Sequence, residues 1–419
     1  MCFYWYSNVA IFLHFLAQCN IFPGPVLGYQ YKFTFTERYF NLEISHIPCH
    51  IILRRSRLML KIYTDHLLKK YSCLPILYPF LETKHFSFPF KDSNPFFFYT
   101  EKIFQITEHP DKADYLLLPH NYKDLKHEKA YINFYIQLTF KYNKKLLIFL
   151  YGDSDEDVNI PNSIIFRVAQ YKHKTKYNEW IMPLYADDLS RFKTINYRIK
   201  KARPTVGFCG YADFDNTTNY IKYILNIFLQ DLKKQIFLNR KYEPQKRGLF
   251  FRRKAIEVLK KSKIVDSKII TRKFYSGSNK TIKNNSSIET IRSEYIDIIH
   301  NSDYILTTKG DSNISTTFFE TMSLGRIPIL ISTDCVLPFE KIINYHDCSI
   351  IIDYRNLKYF DEILLKLHND IDNDKFIWMQ KKAREYFEKF LRIDAFYKNT
   401  IENLEHNLHY PHSSFKNEG

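Results

Sequence analysis

The sequence predicts two α/β domains in tandem, each a doubly wound parallel sheet, facing one another across a cleft. Three observations lead there. From Met59 onward short apolar runs alternate with helix-length segments, as in parallel strands joined by crossover helices. The alternation comes in two sets, parted by the basic and weakly periodic "RFKTINYRIKKARP" at 191–204. The chain of 419 residues is long enough for two or three domains and a large core.

In the first set the candidate strands are "LKIYTD", "ADYLLLPH", "KLLIFLYGD" and "SIIFRVA", with helical or loop material between them. The second set reads "TVGFCGYA", a helix in "TNYIKYILNIFLQDLKKQIF", a helix in "RRKAIEVLKKS", then "KIITRKFY", "SEYIDIIHNSDYILTTKG" and a strand "IPILIS". A long last helix, "DKFIWMQKKAREYFEKFLRI", sets Phe376, Met379, Ala383, Phe387 and Phe390 on one stripe, which reads as core packing. These readings divide the chain into an extension at 1–58, domains at 59–200 and 201–400, and a tail at 401–419 whose end is expected to fray. The extension has neither a clean helical nor a clean strand period. It is expected to be poorly structured or mis-annotated, with folding from Met59, the alternative being a weak membrane-associating segment.

Hydrophobic residues make up 45% and charged residues 25%, the balance of a globular rather than a disordered chain. The net charge of +16 would suit nucleic acid, anionic lipid or phosphorylated small molecules. The basic residues are scattered through a Lys-, Asn-, Ile-, Phe- and Tyr-rich sequence, so compositional bias explains the charge and no nucleic-acid partner is expected. Seven cysteines without a C-x-x-C pair argue against a zinc knuckle or a disulfide framework, and a cytoplasmic location follows as the expectation. The run "VAIFLHFLAQCNIF" lacks a basic flank for a secretory signal and is short for a membrane span.

The most informative stretch is "DYILTTKGDSNISTTFFETMSLGRIPILIS". A buried strand, the loop "KGDSNIS", a short helix and a second strand put that loop at the carboxyl end of a strand and the amino end of a helix. Open α/β sheets bind ligands there, because unpaired backbone N–H groups and the helix dipole favour an anion. Gly310 would let the backbone approach a phosphate, Ser315 suits an N-cap, and Lys309 could neutralise charge. Gly325 reads as a left-handed helix stop before Pro328. Glu320, about one turn into the helix, could accept two hydrogen bonds from a ribose diol, or could be a solvated residue on a surface turn. Neither a P-loop nor a G-x-G-x-x-G fingerprint is present.

The order of these elements resembles the exostosin-like glycosyltransferases. The residues that carry the resemblance are Arg292, Gly310, Asn313, Ser315, Glu320, Gly325, Ile327, Pro328, Leu337, Pro338 and Phe339. Weaker echoes lie upstream in "ADYLLLPHNY", "NSIIFRVAQYK", "VGFCGYA", "RRKAI" and "IITRKFY". The resemblance implies a GT-B fold with the nucleotide-sugar donor in the C-terminal domain and a polysaccharide or glycolipid acceptor in the N-terminal one. It further implies inversion at the anomeric centre, no metal or other cofactor, and a hexosyltransferase type of activity. Basic groups would then stabilise the leaving diphosphate, with Arg253, Arg272 and Lys309 as candidates and Arg252 as a substitute for Arg253. Asn313 joins the donor set on the same ground. One departure stands out: the family commonly carries an Arg three residues before the helix acid, where this chain has Thr317.

Three residues compete for the general base. Asp153 and Asp155, in "YGDSDEDVN" after a strand, would face the cleft, and His120 follows another strand. The D-x-D pattern also suits a divalent ion, but it lies in the acceptor half, and no metal site is expected. The function expected is nucleotide-sugar-dependent glycosyl transfer, with peripheral membrane contact through the basic surface. A catalytically silent glycan- or nucleotide-binding relative is the first alternative and a basic nucleic-acid-binding protein the second.

Overall fold

A computed structural model describes residues 59–65, 67–81, 101–214, 216–236, 246–274 and 288–409. The expectations for 1–58 and for the chain beyond 409 lie outside the described residues. In the first domain the strands are β1 (Lys61–Tyr63), β2 (Gln105–Thr107), β3 (Tyr115–Leu117), β4 (Lys145–Leu150), β5 (Ser163–Arg167) and β6 (Glu179–Ile181). They pair in parallel in the order β2-β1-β3-β4-β5-β6. Helix α1 (Lys129–Tyr142) carries the chain from β3 back to β4 and stops at Asn143, which takes the left-handed conformation at φ 52°. β4 and β5 are apolar along almost their whole length because both faces of a parallel sheet are covered.

The second domain runs β7 (Thr205–Tyr211), α2 (Thr217–Ile236), α3 (Gly248–Lys261), β8 (Asp266–Arg272), α4 (Ile288–His300), β9 (Tyr304–Thr308), α5 (Thr316–Ser323), β10 (Ile327–Ser332) and β11 (Ile350–Asp353). Its order is β11-β10-β9-β7-β8, again all parallel. Helices α6 (Phe360–Asn369), α7 (Asn373–Tyr386) and α8 (Ile393–His409) complete the described chain. Both sheets reverse their winding beside their first strand, between β1 and β3 and between β7 and β9. Two Rossmann-like sheets in tandem are the GT-B arrangement, and these two gaps are its topological switch points.

Packing does not follow chain order as closely as the expected boundaries at 200 and 400 do. The largest apolar core joins Phe149 and Phe166 of the first sheet to Phe318, Phe319 and Met322 of α5 and Phe396 of α8. Helix α8 thus returns to the first domain. Tyr397 shares hydroxyl hydrogen bonds with Tyr151 and Tyr185 at 2.8 and 2.9 Å, and Tyr115 donates to the Leu404 carbonyl. The expected tail therefore begins inside this helix, with Ile401 and Leu404 buried. The helix expected over 374–393 is interrupted by a π-helical turn at Phe387–Leu391. Phe376, Met379, Ala383 and Phe387 are buried and Phe390 packs at the core's edge, so the stripe is core packing.

The domains also touch through backbone where their strand ends meet. The Lys172 N–H donates to the Asp334 carbonyl at 2.8 Å and the Val336 N–H to the Gln170 carbonyl at 3.1 Å, around an antiparallel bridge between Tyr171 and Cys335. At this point the two halves are joined rather than separated by a cleft.

Candidate active site

The loop 309–315 leaves β9 and enters α5. Ser315 has an extended backbone, and its Oγ accepts the Thr317 N–H at 3.3 Å, which caps the helix. At the other end Gly325 has φ +61°. Its N–H donates to the Met322 carbonyl and that of Arg326 to the Thr321 carbonyl, the paired bonds of a Schellman stop. Gly310 differs from its sequence reading. Its φ is not left-handed, and an added Cβ would meet only the Ile314 carbonyl oxygen at 3.5 Å, so the turn does not need glycine there. The steric demand falls on Gly248, the first residue of α3, where a Cβ would lie 2.0 Å from the Lys309 carbonyl oxygen and 2.5 Å from that of Gly310. Sequence reasoning missed this residue; a glycine opening a helix in a chain with ten glycines was the available signal.

The β7/β9 switch point is crossed by Arg252. This buried guanidinium donates to the Tyr211 carbonyl at 2.6 Å and, at 3.4 Å each, to Thr308 Oγ1 and the Lys309 carbonyl. It ties the two strand ends together, so it cannot substitute for Arg253 as a ligand group. Arg253, one residue on, turns outward. It donates to the Ala212 carbonyl at 3.0 Å, pairs with Asp213 at 3.7 Å and lies over the Phe214 ring, and its side chain is 35% exposed. Arg272, at the end of β8, donates to Glu294 at 2.8 Å and more weakly to Cys209 Sγ and the Ile291 carbonyl. Its Nε is buried without a hydrogen-bond partner.

Lys309 is buried and donates to the Tyr171 hydroxyl at 2.7 Å, its ammonium lying over the same ring. Burial lowers its pKa to about 8, and Asp155 only partly offsets this. Tyr171 belongs to the loop after β5, so Lys309 links the strand ends of both sheets. Asn313 is a buried staple: its Oδ1 accepts the Thr333 hydroxyl and its Nδ2 donates to the Thr333 carbonyl at 3.2 Å. It is turned toward Thr333 and the Gln170 carbonyl rather than outward.

Glu320 is also buried, which removes the reading of a solvated surface residue. Oε1 accepts from Arg292 at 2.7 Å and Oε2 from the Tyr295 hydroxyl. The same Arg292 Nη2 reaches Asp187 at 2.6 Å. Burial works against the Arg292 charge, but Glu320, Tyr295 and Asp187 outweigh it and hold its pKa above the ordinary value. Burial, and Glu320 as a like charge, raise the Asp187 carboxyl against the pull of Arg292. Thr317, half-buried in the first turn of α5, brings no charge to this network. A guanidinium therefore does stand beside Glu320, supplied by α4 instead of the helix's own first turn. Asp187 was missed in the sequence; the doubled acid of "YADDLS" after β6 was its only signal.

In the first domain His120 is fully buried. Its Nε2 accepts the Leu68 N–H at 2.9 Å while Nδ1 faces the Ser72 carbonyl at 3.0 Å, a pattern that assigns the proton to Nδ1. Burial lowers its pKa, so it is a neutral tie between strand ends with no nitrogen left for an acceptor hydroxyl. That corrects its reading as a base. Asp153 is exposed, next to Gly152 at φ +112°. Asp155 pairs with Lys174 at 2.7 Å. Burial pushes the Asp155 carboxyl up, but Lys174 and the nearby Lys309 outweigh this and hold it below the usual carboxylate range. Glu156 and Asp157 pair with Lys126 and Lys176. Among the described residues no three His, Cys, Asp or Glu side chains converge as a metal site.

Residues 224–367 match the Exostosin GT47 domain. The Exostosin-1 homolog of Caenorhabditis elegans is 27% identical over 101 residues, covering 24% of this chain and 25% of that protein. Exostosin-1 of Bos taurus is 23% identical over 113 residues, 27% of this chain and 15% of that one. The chain thus spans a quarter or less of the length of these curated relatives. A solved glycosyltransferase from Rickettsia africae aligns with a TM-score of 0.33 at 10% identity, over 84% of this chain and 99% of that one. So loose a superposition carries no argument, and the fold rests on the strand orders above.

Proposed function

We propose, taking the chain as the exostosin-like glycosyltransferase relative that residues 224–367 make it, that it transfers a sugar from a nucleotide-sugar to a polysaccharide or glycolipid hydroxyl. The observation that carries this reading is that the matched segment contains one side of the β7/β9 switch point: β9, the loop 309–315 and the capped amino end of α5. Lys309 begins that loop, while Arg253 and Arg272 reach β7 and the residue after it, donating to the Ala212 carbonyl and to Cys209 Sγ. In this reading the donor diphosphate sits at the amino end of α5. Arg253 and Lys309 balance the charge that develops as the glycosidic bond to phosphate breaks, so that no metal is required. Glu320, oriented by Arg292 and Tyr295, offers its remaining lone pairs to a ribose. Asp155 takes the proton from the acceptor hydroxyl. It lies within electrostatic reach of Lys309 and is kept ionised by Lys174. Attack from the face opposite the diphosphate inverts the anomeric centre.

A second reading, a silent binder of nucleotide or glycan, is favoured by one observation: the first turn of α5 offers the half-buried hydroxyl of Thr317 where the family has a cation. A panel of nucleotide-sugars, followed by nucleotide release and thermal shift, separates the two. Stabilisation with release that survives EDTA supports transfer, and stabilisation alone supports the silent binder. If no nucleotide-sugar stabilises the protein, the transferase reading and the nucleotide-binding form of the silent relative both fail.

A further inference from the structure

Helix α2 meets the rest of its domain along one narrow edge. Tyr223 and Ile227 pack against the second-sheet core, and Asp231 is held by the Lys246 ammonium. The opposite side is a row of large apolar residues. Ile221, Leu225, Phe228, Leu229, Leu232 and Ile236 are each between 40% and 64% exposed. At about 100° per residue these six fall within an arc of roughly 100°. Single exposed apolar side chains are ordinary on a protein surface; a continuous row along one helix marks a docking face.

Charge decides what covers it. The helical register puts the exposed Lys222 on one border of the row, while the acid on the other border, Asp231, is already neutralised by Lys246. The chain as a whole carries +16. Two copies meeting through this face would bring like-charged borders together. The footprint of a 20-residue helix, about 30 Å by 10 Å, is also well short of the roughly 800 Å² per partner of a stable interface. An anionic bilayer matches both the row and its border. No helix of the described residues is long and apolar enough to cross a membrane, so the helix would lie in the interface plane.

We propose that α2 is an interfacial anchor that lays its apolar row into the surface of an anionic bilayer. The proposal does not depend on sugar transfer, and its test reads no turnover. The full chain is mixed with phosphatidylcholine vesicles, with and without phosphatidylserine, and the bound fraction is measured by flotation, alongside light scattering for oligomeric state. The protein should float with the phosphatidylserine vesicles at low salt. The double variant Leu225→Gln/Phe228→Gln should lose at least about tenfold in partitioning with its melting temperature unchanged. Phe140→Gln, on the exposed face of α1, should bind as the wild type does. Lys222→Glu, at an exposed position, should weaken binding to the anionic vesicles and provides the test should the double variant misfold. Absence of vesicle binding, equal binding by wild type and the α2 variants, or a dimer that the double variant dissociates would each overturn the proposal.

Discussion

The two sheets share one winding, yet their switch points are filled in opposite ways. Between β1 and β3 lies His120, neutral, fully buried and bonded by both ring nitrogens to backbone. Between β7 and β9 lies Arg252, a buried cation bonded to the carbonyls at both strand ends, with Arg253 turned outward beside it. The same topological gap is closed and uncharged in one domain and electropositive in the other. A doubly wound sheet supplies a place for a ligand, and the residue in the gap decides whether an anion is welcome there.

The comparison can be broken most forcefully at Arg252. Arg252→Met removes a buried charge and strands the Tyr211 carbonyl, so it should cost about 3 kcal/mol of stability, measured by denaturant unfolding. His120→Ala should cost about 2 kcal/mol through two lost backbone bonds, while kcat/KM of the folded fraction stays unchanged. A selective loss of kcat there would restore the histidine as a catalytic group. Gly325→Ala should cost roughly 1 to 2 kcal/mol, because a side chain at φ +61° is strained and its Cβ would lie 3.0 Å from the Tyr197 ring.

The smallest effect is a pH dependence at Lys309. Its folded pKa is lowered to about 8, against an unfolded value of about 10.4. Between these values the unfolded chain binds a proton that the folded one has released, so stability rises with pH across that window. Lys309→Met removes this slope, and the stability gap between wild type and variant should shift in favour of wild type from pH 7 to pH 10. Affinity for a nucleoside diphosphate should move the other way, falling as pH rises through about 8 and the ammonium is lost.

Much of the second domain was legible in sequence because its signals are local. An apolar run, a polar loop, Ser315 as cap and Gly325 as stop lie within one short segment, and each did what its residue type dictates. Residue environments were less legible. Arg252 and Arg253 are neighbours in sequence, but a rotation of about 100° along α3 sends one into the sheet and the other outward. The partner of Glu320 is Arg292, on another helix 28 residues away, and the need for Gly248 arises from the carbonyl oxygens of a loop more than sixty residues downstream. The return of α8 to the first sheet and the three-residue strands β2 and β6 depend on tertiary contact, which no local period encodes.

Calorimetric titration of a nucleoside diphosphate into the wild type, Arg253→Ala and His120→Gln tests the central contrast most directly. If the second switch point holds the anion, the wild type binds, Arg253→Ala weakens binding about tenfold or more, and His120→Gln binds as the wild type does. Equal affinity in the wild type and Arg253→Ala, or a loss confined to His120→Gln, would contradict it.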